Sequence, residues 1–109
     1  MKCKYCPYGQ CHIETFHDNE NKWTNYKLYS YETHVATAWK DDNSYVYRID
    51  IYGLYSMTTR KHIRAFLKEI QDMASNSNYI PFDDIKQVAY SAGKIRMSID
   101  PFFVSIYNV

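Results

Sequence analysis

Three features of the sequence predict an α+β fold in which a small antiparallel sheet is covered by one main amphipathic helix. The apolar residues are those that suit a pleated surface: 12 tyrosines against 5 phenylalanines, and 10 isoleucines against 3 leucines. Aromatic and β-branched side chains pack well on half-buried strands. Residues 44–52 alternate, with Tyr45, Tyr47, Ile49 and Ile51 on one side and Val46, Arg48, Asp50 and Tyr52 on the other, which is the period of a strand. Further on, Ile63, Phe66, Leu67, Ile70, Met73 and Ala74 recur at i, i+3, i+4, i+7, i+10 and i+11, one continuous apolar stripe on a helix. A chain of 109 residues builds one hydrophobic core, so these elements belong to a single domain, residues 1–109.

Taken in order, the first element is a cluster of candidate metal ligands. All three cysteines, Cys3, Cys6 and Cys11, fall in the first eleven residues, and the pattern C-x2-C-x4-C-x5-H ends at His17. An odd cysteine count does not fit a disulfide framework. A redox pair at Cys3 and Cys6 would sit between a strand and a helix, and the flanking residues suggest neither; free surface thiols are the plainer alternative. A structural zinc ion takes four N or S ligands in a tetrahedron, and a C-x2-C pair is presented by one tight turn. Pro7 and Gly9 let the chain fold back to bring Cys11 to the same point, and His17 closes the set. His12 is the alternative fourth ligand, although adjacent residues seldom both reach one ion, and His34 and His62 are more remote candidates. Four protein ligands leave no open position, so the zinc is structural. Residues 1–22 hold few aliphatic side chains, chiefly Ile13. In such segments the metal, at on the order of 10 kcal/mol, supplies the ordering energy that burial does not. The expectation is a zinc-bound, knuckle-like segment over residues 1–22 and an α+β core over residues 23–109.

A polar connector then leads to strands at residues 27–30 and 34–39, the second alternating Val35, Thr37 and Trp39 against His34, Ala36 and Ala38. A polar turn at residues 40–43 joins it to the strand at 44–52, a hairpin within a three-stranded meander. Gly53 breaks that strand, and Ser56, Thr58 and Thr59 supply capping hydroxyls for a helix over residues 58–75. Beyond Asn76, Ser77 and Asn78, Pro81 introduces a short helix carrying Ile85, Val88 and Ala89, which Gly93 closes. Strands at residues 94–99 and 103–107 complete the chain.

Composition narrows the function. Thirteen Lys and Arg against 12 Asp and Glu give a formal charge of +1, whereas a protein that grips a phosphate backbone is basic and one that imitates it is acidic. No G-x-S-x-G, H-E-x-x-H or phosphate-binding glycine loop occurs, and three glycines cannot build a nucleotide cradle. His12-Ile13-Glu14 matches the first half of the zinc-deaminase signature, but no Cys pair follows it. The chain therefore reads as non-enzymatic. No apolar run approaches the roughly 20 residues of a membrane helix, and the start lacks the apolar stretch of a secretory signal; a soluble, cytoplasmic protein without a membrane partner is expected.

Two surfaces attract attention. The tyrosine excess implies either a solvated aromatic sheet face or a protein contact surface, where Tyr is enriched. Arg60, Arg64 and Lys68, spaced by four with Lys61 beside them, form either a solvated helix face or a contact for an anion or acidic partner. Cations in the first helical turn oppose the dipole, so helix stability does not explain them. Tyr5 and Tyr8 stand between the cysteines, where aromatic residues of zinc knuckles stack on unpaired bases. Acidic Glu14, Asp18 and Glu20 follow, however, and only Lys2 and Lys4 balance them.

The stretch Tyr29-Ser30-Tyr31-Glu32-Thr33-His34-Val35-Ala36, a hairpin, and then Tyr55-Ser56-Met57-Thr58-Thr59-Arg60-Lys61-His62 opening the helix resembles a domain of small phage-encoded proteins from Gram-positive hosts, over roughly residues 27–75. With the N-terminal cluster added, the chain resembles type II anti-CRISPR proteins, phage inhibitors of the RNA-guided CRISPR nuclease. The resemblance implies binding without catalysis: the protein would occupy the type II CRISPR effector nuclease in the host cytoplasm and block guide loading, target DNA loading or cleavage. The balanced charge then implies docking on protein through Tyr-rich, mixed-charge contacts rather than DNA mimicry. The alternatives are a zinc-knuckle-like single-stranded nucleic-acid-binding or transcription-regulating phage protein, and a phage assembly accessory whose Tyr-rich face is an oligomer interface.

Overall fold

Alternation along the strands sorts the side chains into two layers. In the strand expected at residues 44–52, Tyr47, Ile49 and Ile51 are buried on one face, while Arg48 is exposed on the other. Tyr45 lies ahead of the strand and is 80% exposed. The computed structural model describes residues 4–5, 10–53, 57–82, 85 and 94–107. In order, the elements are β1 (Cys11–Asp18), β2 (Trp23–Ser30), β3 (Thr33–Asp41), β4 (Tyr47–Ile51), α1 (Met57–Met73), β5 (Ile95–Ile99) and β6 (Val104–Tyr107). The strands form one six-stranded antiparallel sheet in sequence order. This is the expected α+β class with twice the expected meander.

The strand that the sequence did not announce is β1. Residues 11–18 cannot order themselves by burial, but an edge strand needs only one neighbour, and β1 pairs with β2 along its whole length, from Cys11 opposite Ser30 to Asp18 opposite Trp23. The division expected between residues 22 and 23 therefore falls inside a hairpin turn. There the Asp18 carboxylate accepts the backbone N–H groups of Glu20 and Asn21, both at 2.9 Å, and Lys22 takes a positive φ of 58°. The second hairpin turns at Tyr31, φ 56°. The register shifts between Leu28 and Tyr29, which face Ala36 and His34, so Val35 is an extra residue in β3, a β-bulge.

Helix α1 crosses β2 and β3 on one side of the sheet. Ala36 and Ala38 are buried there, and such small side chains let a helix approach closely. Ile63, Phe66, Leu67 and Ile70 from the predicted stripe bury against Leu28, Ile49, Ile51, Ile95 and Met97. The helix begins at Met57, so Thr58 and Thr59 lie within its first turn rather than at the cap, and Thr59 points into the core; Ser56 is outside the described residues. The C-terminus is a Schellman motif: Ser75 has φ 55°, Ser75 N–H bonds the Asp72 carbonyl at 3.2 Å and Asn76 N–H bonds that of Gln71 at 2.9 Å. The buried Asn76 side chain then ties the helix end to the β5–β6 turn. Its Oδ1 accepts from Gln71 Nε2 (3.1 Å) and Asn78 N–H (2.8 Å), and its Nδ2 donates to the Asp100 (2.6 Å) and Phe103 (3.1 Å) carbonyls. Of the short helix expected after Pro81, Phe82 and Ile85 are helical, and Val88, Ala89 and Gly93 lie outside the described residues. No helix among the described residues is long and apolar enough to cross a membrane.

Candidate functional site on the open sheet face

Among the described residues, no helix or second sheet lies over the face turned away from α1. Register places its residues in rows across the strands: His12, Tyr29 and His34; Glu14, Lys27, Thr37, Asp50 and Arg96; Phe16, Asn25, Trp39, Arg48 and Ser98. The first row continues beyond β4 to Tyr52 and is a ladder of rings. His12 stacks on Tyr29 with centroids 4.9 Å apart and planes 5° from parallel, Tyr29 stacks on His34 at 5.3 Å, and Tyr52 meets His34 edge-on at 5.0 Å. Lys94 Nζ lies over Tyr52 at 5.5 Å, a cation–π contact. His34 Nε2 is 3.1 Å from the Ala36 carbonyl and 2.7 Å from Thr37 Oγ1. A carbonyl only accepts, so Nε2 carries the ring proton. Burial pushes the His34 imidazole below the ordinary histidine range.

In the second row the Asp50 carboxylate is bracketed by Arg96 at 3.1 Å and Lys94 at 3.6 Å. The third row holds the least satisfied atom on this face. Phe16 is 59% exposed and its ring tilts against Trp23 at 5.6 Å. Trp23 and Trp39 are half-buried. Between them Asn25 Oδ1 is buried with no hydrogen-bond partner. Asn25 and Trp23 line two adjoining depressions of about 670 and 820 Å³, one reaching Trp39 and Arg48, the other Phe16 and Lys27. A buried acceptor without a partner costs roughly 1–3 kcal/mol, and the residue that carries this one lines both depressions.

The sequence-predicted ligands are only partly brought together. Cys3 and Cys6 lie outside the described residues. Cys11 opens β1, buried on the α1 side. His17 is six residues along the same strand, about 20 Å away at the strand rise of 3.3–3.4 Å per residue, and its Nε2–H donates to Asp42 at 2.9 Å. That bond holds the Asp42 carboxyl below its ordinary range. The expectation of Cys11 and His17 on one ion is therefore corrected: a turn between them would have closed the site, and the chain is extended instead. His12 and His34 belong to the opposite face, on the ring ladder. His62 is buried on the α1 side, where burial lowers its pKa, and its Nδ1 is 2.7 Å from Ser30 Oγ. Among the described residues no three His, Cys, Asp or Glu side chains form a metal-holding group.

On the basic helix face Lys61, Arg64 and Lys68 are exposed and Arg60 is half-buried. Arg60, Lys61 and Arg64 line a cavity of about 260 Å³ floored by Ile63, Phe82 and Ile85. Arg64 lies 4.3 Å over the Phe82 ring, and Lys68 Nζ lies 5.3 Å over Tyr5. Sequence reading missed the group around Asn25. The available signal was the alternation of residues 11–18 with residues 23–30, which places Phe16, Trp23 and Asn25 on one face.

The model of a family of unknown function, DUF8033, matches residues 9–86. The chain belongs to the DUF8033 family. The DUF8033 match takes in β1 to β4 and α1, starts after Cys3 and Cys6, and ends before β5 and β6. It contains the whole ring ladder except Lys94, and all of the Phe16, Trp23, Asn25, Trp39 and Arg48 group. No curated protein and no solved structure matches the chain.

Proposed function

We propose that this DUF8033 protein is a non-enzymatic binding protein that docks on another protein through its open sheet face, with a structural zinc ion held by its N-terminal cysteines. The observation that carries the reading is the unpartnered Asn25 Oδ1 set among Phe16, Trp23, Trp39 and Arg48. Trp, Tyr and Arg dominate binding hot spots, where a few side chains surrounded by a water-excluding rim supply most of the energy. The face mixes Lys27, Arg48 and Arg96 with Glu14 and Asp50, a pattern suited to protein rather than to a uniformly charged phosphate backbone. The type II CRISPR effector nuclease, which the resemblance supplies as partner, is the first candidate. Inhibition would follow from hindering target DNA loading or cleavage. The test is a titration of the purified chain into that nuclease loaded with guide RNA, with Trp39→Ala alongside; binding that Trp39→Ala weakens supports the reading.

One observation favours a second reading. Exposed rings on an open antiparallel sheet are also how single-stranded nucleic acid is stacked, and the His12, Tyr29 and His34 ladder has that form. The two separate by salt: affinity for an oligonucleotide falls steeply as salt rises, whereas docking on protein by apolar and mixed-charge contacts changes little.

A further inference from the structure

We propose that β6 is an interface at which two copies of the chain join their sheets edge to edge, each β6 pairing antiparallel with its counterpart about a two-fold axis. β6 ends the sheet, and among the described residues no strand pairs with its outer side. An edge strand presents a row of unpaired backbone N–H and C=O groups, and open edges are normally guarded by charged side chains or proline. β1, the opposite edge, has Glu14 and Asp18 together with His12 and His17 among its eight residues. Residues Phe102-Phe103-Val104-Ser105-Ile106-Tyr107 hold no charge, no proline and no glycine, the composition of a segment that pairs with another strand. Phe102 is 74% exposed, Phe103 66% and Tyr107 51%, so this edge places three large rings in water.

The turn that leads into β6 is already fixed. The Asp100 carboxylate accepts the Phe102 and Phe103 N–H groups, both at 2.8 Å, Asp100 N–H donates to the Phe103 carbonyl at 3.1 Å, and Asn78 Nδ2 donates to that of Phe102 at 2.5 Å. Association therefore has little backbone left to order. Val104 and Ile106 pack against the core, and alternation sets Phe103, Ser105 and Tyr107 on the open face, where the Tyr107 hydroxyl lies 3.0 Å from Ser98 Oγ. A two-fold axis normal to the sheet runs the two β6 strands antiparallel and keeps both open faces on one side. Residues directly opposite then share a face, which centres the pairing on a residue. Centred on Ser105, it uses the whole of residues 103–107: Phe103 meets Tyr107 of the second copy in two aromatic cross-strand pairs, and Val104 meets Ile106 on the covered face. The segment matches itself and carries no charge that a different partner would complement, which favours a second copy, and closed two-fold pairing consumes both edges. The interface lies away from the group around Asn25 on β2, and the dimer presents that group twice on one side.

Sedimentation velocity of the full chain over a roughly hundredfold range of concentration tests this. The mass of the unmodified chain should rise with concentration toward twice the 13.0 kDa of one copy and stop there. Ser105→Lys sets like charges opposite each other at the axis and should weaken association by roughly 5-fold or more, as should Ser105→Glu. Mixing these two variants should restore a dimer, because opposite charges then face each other; a variant that merely misfolds would not be rescued in this way. Phe16→Ala, at the other edge of the sheet, should leave association unchanged. A chain that stays monomeric throughout overturns the proposal, even if a strand of a different protein is found to take the edge instead. Growth beyond a dimer, association that Ser105→Lys leaves intact, a mixture of the two variants that stays monomeric, or loss of association in Phe16→Ala overturns it equally.

Discussion

The two faces of the sheet use the same strands for opposite ends. On the α1 side, Leu28, Ile49, Ile51, Ile95 and Met97 meet Phe66, Leu67 and Ile70 with almost no exposed surface, and the polar groups admitted there are bonded, as Ser30, His62 and Thr59 are. On the open side the rings are half-buried or exposed, two depressions remain, and one buried acceptor has no partner. A face that serves stability is apolar and satisfied. The face that we propose is kept for a partner carries large rings, mixed charge and an unmet hydrogen bond, at a cost to the free protein.

Substitutions on the covered face should act on stability alone. Ile49→Ala, at a fully buried position, should cost about 2–5 kcal/mol, measured as a fall in urea midpoint, with the affinity of the remaining folded molecules unchanged. Next comes the open face: Trp39→Ala should weaken partner binding by about 2 kcal/mol, roughly 30-fold, measured by calorimetry, while the denaturant midpoint moves less than for Ile49→Ala. Asn76→Ala, which strips the helix end of its bonds to Gln71, Asp100 and Phe103, should cost about 1–3 kcal/mol of stability without touching binding. Asn25→Val sharpens the contrast most, because the two readouts should move in opposite directions. Removing a buried unpartnered oxygen and placing a β-branched residue in a strand should stabilise the free protein by about 1 kcal/mol and weaken the complex.

The smallest effect concerns pH. Folding depresses the His34 pKa through burial, with Tyr29, Tyr52 and Thr37 against its ring and Lys27 and Glu14 nearby. The folded state then binds fewer protons than the unfolded one, so this stability is present above the ordinary histidine pKa of 6.5 and is lost as pH falls through the lower folded value. The thermal midpoint should drop between about pH 7.5 and about pH 5.5, and His34→Gln should reduce that drop.

The sequence made the covered face legible because burial there needs apolar residues at a fixed period: the stripe from Ile63 to Ala74 and the alternation of Tyr47, Ile49 and Ile51 identified α1 and β4. It concealed β1, whose order comes from backbone pairing with β2 and which carries Ile13 as its one aliphatic anchor. The misplaced ligand His17 follows from the same cause. Spacing gives distance along the chain, and five intervening residues bring two side chains together in a turn but hold them about 20 Å apart in a strand. Asn25 lies ahead of the strand expected at residues 27–30 and within the longer β2 observed; that its oxygen lacks a partner is a property of the packed sheet.

The most direct measurement is calorimetric titration of the purified chain, and of Trp39→Ala and Asn25→Val, into the guide-loaded type II CRISPR nuclease at two salt concentrations. The account predicts stoichiometric binding with little salt dependence, weakened by both open-face substitutions in proteins that remain fully folded. Absence of binding, or an affinity that neither substitution changes, would contradict the assignment of the open face as the contact surface for this partner.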